Sequence, residues 1–117
     1  MSIQNIQISE LLVNVIDEEL YVALIRQLNK DFVLANLEYA IDENCTPELL
    51  KQQLGVIITE LVNNEFDSFL NLLYRVDLSE NKIIQLSKEN QEAYIASISF
   101  LILKREWQKV WFRKKYS

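Results

Sequence analysis

The chain of 117 residues contains no histidine. Histidine is the commonest general base and metal ligand near neutral pH, so its absence excludes Ser-His and Cys-His nucleophile arrangements. With a single glycine, the chain also has no Gly-rich loop to cradle phosphate. Glu60 and Asp67 lie beside apolar stripes, where we expect them in solvent or paired with a cation such as Arg75. We therefore expect a protein that is not an enzyme and that holds no cofactor and no metal.

Turn-forming residues are scarce, since Gly55 and Pro47 are the only glycine and the only proline. Sheet proteins of this length need more turn formers than that, whereas long helices do not. Half of the residues are apolar and a quarter are charged, which is the composition of a globular chain. We predict an all-α, single-domain bundle of about five helices over residues 1–117.

Cysteine and long apolar runs are also in short supply. Cys45 has no second cysteine to pair with, and no secretory signal is evident, so we expect a reducing cytoplasm. The longest apolar run, residues 93–103, has eleven residues, about half of the ~20 that cross a bilayer. Thirteen isoleucines and ten asparagines suggest an AT-rich bacterial genome.

The first forty residues give the weakest local signals. Residues 1–8 alternate apolar and polar side chains, which predicts an extended N-terminal arm or a short strand. Ser9 then reads as the N-cap of a helix. We favour a break at residues 29–31, with Asp31 capping a further helix over residues 32–41, although one long helix fits the apolar spacing as well.

The boundaries after residue 41 are better marked. Thr46-Pro47-Glu48 combines an N-cap, a proline at the first helical position and an acid in the first turn. Gly55 inside this helix suggests a close helix crossing. A stripe over residues 66–76 predicts the next helix, and a short piece follows the N-cap Ser79.

A last helix is predicted from Ser87 or Asn90 to about Lys115. It is apolar nearly all round over residues 93–103. Because a helix that is apolar on every side is a buried one, we expect its first half to form the axis of the bundle. We expect its second half, after Leu103, to carry charge and to extend out of the bundle.

The remaining feature is the C-terminal segment, defined as residues 104–117. It holds six of the twelve cations and a single acid, Glu106, so its net charge is +5 against −10 for the rest of the chain. It also holds both tryptophans. These residues form a candidate interaction surface: Trp107, Trp111, Phe112, Lys104, Lys109, Arg113, Lys114 and Lys115.

Four uses of this basic, aromatic helix remain open from the sequence. The cations suit a helix C-terminus, and the tryptophans can simply pack on the bundle. The same face can join two copies of the chain, lie on a membrane surface or in a peptide groove, or bind nucleic acid. An acidic total, with a pI of about 4.7, argues against nucleic acid.

Residues 69–80 (FLNLLYRVDLSE) and 104–117 (KREWQKVWFRKKYS) resemble uncharacterised small all-helical bacterial proteins of unknown function. This resemblance implies a bacterial cytoplasmic protein and assigns no residue a role. From the residues themselves we expect a helical interaction module that self-associates, as a homodimer, through the Trp107/Trp111 face. The alternative is a binder of an anionic partner, either nucleic acid or a lipid surface, through the C-terminal segment.

Overall fold

A computed structural model describes residues 3–116, and their side chains from residue 7 onward. This part of the chain forms six α-helices and no strand. The helices are α1 (Ile3–Asp17), α2 (Tyr21–Leu34), α3 (Pro47–Asn64), α4 (Phe66–Val76), α5 (Glu80–Ile84) and α6 (Gln91–Tyr116). The predicted all-α bundle with a long C-terminal helix is confirmed.

Helix α6 is the element around which the others pack. It contacts α1, α2, α3 and α4. Its first half is buried on several sides, at Tyr94, Ile95, Ala96, Ile98, Ser99, Ile102 and Leu103. The predicted central position of this helix is therefore confirmed. None of the helices within residues 3–116 combines the length and the apolar character that a membrane span requires.

One hydrophobic core joins the helices. Helices α2, α3 and α4 each contribute fully buried side chains to it, among them Phe32, Ile58 and Phe69. Burying a side chain of this size contributes about 1.5–3 kcal/mol relative to leaving it in water. The core is thus large enough to hold helices whose own propensities are ordinary.

Three predicted helix starts are confirmed by side-chain caps. Thr46 Oγ1 accepts a hydrogen bond from the backbone N–H of Leu49 at 3.2 Å. Ser79 Oγ accepts from the N–H of Asn81 at 3.2 Å. The start of α6 was open between two residues, and it is Asn90 whose side chain accepts from an α6 N–H, that of Ala93, at 3.0 Å. Each cap satisfies a backbone donor that has no partner within its own helix.

The predicted N-terminal arm is wrong for residues 3–8, which form the first turns of α1; residues 1 and 2 lie outside the described residues. Ser9 is an interior residue of this helix and not its N-cap. The physical reason is that Ile8 is fully buried and lies on one helical face with Leu11, Leu12 and Val15, at i, i+3, i+4 and i+7. Packing on the core decided the conformation of a segment whose alternation suggested a strand.

The favoured break at residues 29–31 is also wrong, since α2 runs through it and the chain turns at residues 18–20 instead. The Asn29 side chain donates to the carbonyl of Ile41 and accepts from its N–H, both at 2.8 Å. It therefore anchors the connection that follows α2. Residues 35–46 form that connection, in place of the predicted helix over residues 32–41. Asp31 is buried within α2 and caps nothing.

Gly55 does not mark a close helix crossing. A Cβ atom placed on it would meet no heavy atom within 4 Å outside its own helical neighbourhood. The glycine lies in the interior of α3, where its backbone freedom is a cost and nothing in its surroundings requires the missing side chain.

Gly55→Ala should therefore stabilise the fold by about 0.5–1 kcal/mol, because alanine removes backbone entropy from the unfolded chain without a steric penalty. Urea unfolding should show a higher midpoint with an unchanged slope. Gln52→Ala, at an exposed position three residues earlier in α3, is the control and should shift stability by less than about 0.5 kcal/mol. A lower midpoint for Gly55→Ala would show that this position is tighter than its geometry indicates.

Candidate interaction surface

Both tryptophans of the C-terminal segment are half-buried and pack against the core of their own chain. Trp107 Nε1 donates a hydrogen bond to Glu18 Oε1 at the end of α1, at 2.9 Å. Trp111 lines a shallow depression together with Glu18 and Leu20. The Trp107 side of α6 therefore joins α6 to the end of α1.

Arg105 and Lys114 each bind a backbone carbonyl at a helix end. Arg105 donates to the Asp77 carbonyl at 3.2 Å and pairs with its carboxylate at 2.8 Å. The hydrogen bond from Arg105 lowers the pKa of the Asp77 carboxyl below its usual value. Lys114 Nζ donates to the carbonyl of Glu18 at 2.9 Å. Asp77 has a left-handed backbone (φ 68°) as the C-cap of α4, so it ends that helix and does not begin the next.

Two further cations lie over aromatic rings. Lys104 Nζ is 6.0 Å from the ring centre of Phe100, and Lys115 Nζ is 5.0 Å from the ring centre of Trp111. Such contacts contribute about 0.5–1 kcal/mol at exposed sites. Both lysines are exposed, so their charge faces solvent.

The last turns of α6 carry three aromatic rings in contact with one another, which we call the aromatic patch: Trp111, Phe112 and Tyr116. The rings of Trp111 and Phe112 meet edge to face at 5.3 Å, and those of Phe112 and Tyr116 stack at 5.6 Å. Phe112 is 54% exposed and Tyr116 is 72% exposed. The sequence-based surface included the first two rings. It missed Tyr116, although the i, i+4 spacing from Phe112 was a signal for it.

A polar cluster lies between α2 and α6, defined as Gln27, Asp31, Glu106, Lys109 and Arg113. The first three are buried, Lys109 is half-buried and Arg113 is exposed. Lys109 Nζ donates to Asp31 Oδ2 at 2.8 Å and lies 3.2 Å from Glu106 Oε1. Gln27 Nε2 donates to Asp31 Oδ1 at 3.2 Å, and Arg113 Nη2 donates to Gln27 Oε1. The cluster joins α2 to α6.

Lys109 also reaches a third helix, because its Nζ donates to the carbonyl of Arg75 near the end of α4 at 3.1 Å. A single lysine from the candidate surface thus connects α2, α4 and α6. Its ammonium group is largely covered and is paired with Asp31 inside the fold.

Glu106 is the most unusual member of the cluster. It is fully buried, and although Lys109 Nζ lies 3.2 Å from Oε1, neither carboxyl oxygen makes a hydrogen bond of regular geometry with a described residue. Burial, and after it the adjacent Asp31, raise the pKa of Glu106 to about 9, against the opposing effect of Lys109. At neutral pH the Glu106 carboxyl is therefore protonated in the folded state.

Sequence reasoning counted Glu106 as the lone acid of a basic segment and did not expect it to be buried. A signal was present, since Glu106 lies three residues after Leu103 and four before Val110, on the apolar face of α6. Asp31 likewise lies between the apolar positions Leu28 and Phe32. The acids considered instead, Glu60 and Asp67, are both exposed.

A groove that the sequence did not predict lies between α3 and the first half of α6. It is open, has a volume of about 1040 Å³, and is lined by residues between 48 and 60 of α3, residues between 91 and 99 of α6, and Ile8 of α1. Gly55 is one of the lining residues, so the open space beside its Cα atom is part of this groove.

Cys45, the lone thiol, is buried at the loop that precedes α3. Tyr21 Oη donates to the Cys45 carbonyl at 2.7 Å, and burial raises the pKa of the Tyr21 phenol. Within residues 3–116, no three side chains of Asp, Glu, Cys or His come together as a metal site would require.

Comparison with protein-family models, with curated protein sequences and with solved structures finds no match for this chain. The surface is therefore interpreted from its own geometry. It consists of an exposed aromatic patch at the end of α6, held in place by cations that bind α1, α2 and α4.

Lys109→Met should destabilise the fold by about 3 kcal/mol, because it leaves the buried carboxylate of Asp31 without its cation. Urea unfolding measures this loss. Lys104→Met is the matched control on the same helix, where the lysine is exposed, and should change stability by less than about 0.5 kcal/mol. Equal effects of the two substitutions would mean that the cluster contributes nothing specific.

Glu106→Gln should change the pH dependence of stability. The pKa of Glu106 rises from an ordinary value of 4.5 to about 9 on folding, so the unfolded chain loses this proton first as pH rises. Native stability should then fall between about pH 5 and 9, by at most about 1.4 kcal/mol per pH unit from this group. The neutral glutamine removes that slope, so its stability relative to the native chain should grow over the same range. If the free energy of unfolding had the same pH dependence in the Glu106→Gln variant and in the native chain, this prediction would be contradicted.

Proposed function

We propose that this protein is a non-enzymatic helical interaction module that self-associates as a dimer through the aromatic patch. The observation that carries the proposal is the exposure of Phe112 and Tyr116, whose stacked rings stand in the most charged segment of the chain. Aromatic side chains are enriched at the centres of protein interfaces, where they bury a large area at little entropic cost.

The location of the patch supports this use. The ends of α1, α2 and α4 bind the flanking cations of α6, so the last turns of α6 are held against the body while the rings remain in solvent. A contact surface that is fixed before binding loses less conformational freedom on association.

The anionic-partner alternative has less support. Four of the six cations of the C-terminal segment bind groups of their own chain: Arg105, Lys109, Arg113 and Lys114. Arg105 and Lys109 are also paired with carboxylates, which leaves the charges of at most four cations, Lys104, Arg113, Lys114 and Lys115, for phosphate. Affinity for nucleic acid scales with the number of phosphates neutralised.

An enzymatic role is disfavoured by where the convergent acids lie. Asp31 and Glu106 are carboxyl groups that the fold brings together, and both are covered by protein. A catalytic acid or base must come within hydrogen-bond reach of its substrate, and these two groups are shielded from it. For location, we propose a bacterial cytoplasm, which suits a buried thiol kept reduced.

The test is light scattering coupled to gel filtration at tens of micromolar. The native chain should have twice its mass of 13.8 kDa. The double variant Phe112→Ser with Tyr116→Ser should be monomeric and folded, because both side chains are exposed and their loss leaves the core intact.

Tyr74→Ser is the matched control, since Tyr74 is an equally exposed ring on α4, at 77%. This variant should remain dimeric. A native chain that is monomeric at this concentration, or a double variant that dimerises like the native chain, would overturn the proposal.

A further inference from the structure

The aromatic patch needs a receiving surface on the second copy, and the groove between α3 and α6 has the properties of one. We infer that the groove of each copy takes up the aromatic patch of the other. This inference rests on the proposed self-association and adds the surface that the patch contacts.

The size and walls of the groove suit aromatic side chains. Its volume of about 1040 Å³ is slightly above the 300–1,000 Å³ typical of ligand pockets, so it can take more than one ring. Ile95 and Ala96 contribute apolar wall, and the backbone of α3 is open above Gly55. Val56, which also lines the groove, is 66% exposed and has no cover within its own chain among the described residues.

The charges of the two surfaces are complementary. The lining of the groove includes three acids, Glu48, Glu60 and Glu92, and one cation, Lys51, which gives it a net formal charge of −2. Lys51 is already paired with Glu48 at 3.1 Å. The end of α6 that carries the patch is cationic, so it is attracted to the groove of a second copy and repelled by a second patch.

The spacing of the rings fits recognition of a helix by a groove. Phe112 and Tyr116 lie one turn apart at i and i+4, the arrangement by which amphipathic helices anchor in apolar grooves. Both surfaces are present on every copy, so two contacts related by a twofold axis close a dimer and leave neither surface free.

The charge contact can be tested by exchange. Glu60→Lys and Lys115→Glu, made separately, should each weaken dimerisation about fivefold or more at low salt, since each places like charges together at both contacts. The chain carrying both substitutions restores opposite charges and should recover most of the native affinity. Glu80→Lys is the control, because it reverses an exposed glutamate that lies outside the groove.

The space in the groove can be tested by filling it. Gly55→Leu places a side chain into the open groove without a clash at Cβ, so the variant should fold, which circular dichroism checks. It should raise the dissociation constant of the dimer at least tenfold. Gly55→Ala leaves most of the volume open and should dimerise like the native chain.

The outcomes separate this inference from the proposed function. Groove variants that dimerise normally, while Phe112→Ser with Tyr116→Ser is monomeric, would overturn the groove as the receiving surface and leave self-association through the patch intact. Failure of the doubly charge-exchanged chain to recover would also count against the groove. A native chain that is monomeric would overturn both.

Discussion

The apolar surface of α6 is the constraint on which the rest of the fold depends. From Tyr94 to Leu103 this helix has no polar stripe wide enough to face water, so α1, α2, α3 and α4 must all pack on it. Each of those helices needs one apolar face only. The arrangement also explains how residues 3–8 become helical, since Ile8 completes the cover that α1 provides.

The second half of α6 is held by polar contacts in addition to the apolar packing of Trp107, Val110 and Trp111. Lys109 binds Asp31 of α2 and the carbonyl of Arg75 in α4, while Glu106 lies buried beside it. Burying charge is costly, and hydrophobic residues of similar volume are often as stabilising. The cluster instead determines the orientation of α6, because hydrogen bonds to α2 and α4 restrict the rotation of this helix about its own axis. That rotation determines which side chains of Trp111–Tyr116 face solvent.

Signals that act within a few residues predicted the fold well. The caps Thr46 and Ser79 each satisfy a backbone donor close by, so the sequence alone was sufficient to place them, and it narrowed the start of α6 to Ser87 or Asn90, of which the structure shows Asn90. Predictions were wrong where a residue's conformation depends on a partner far away in the sequence. Asn29 looked like a breaker because its partner, the backbone of Ile41, is twelve residues away and not visible in the local pattern.

The same distinction applies to the candidate site. Composition located the basic, aromatic end of α6, but it did not show which cations the chain uses itself, because Glu18 and Asp31 lie more than seventy residues from their partners. Once those contacts are formed, the segment ceases to be a uniform positive surface. The side of the segment that faces the body binds the rest of the chain, and the side that faces solvent carries the aromatic rings beside Lys115. A rigid apolar surface with a cationic rim selects a partner by shape together with charge, and a flexible basic tail selects by charge alone.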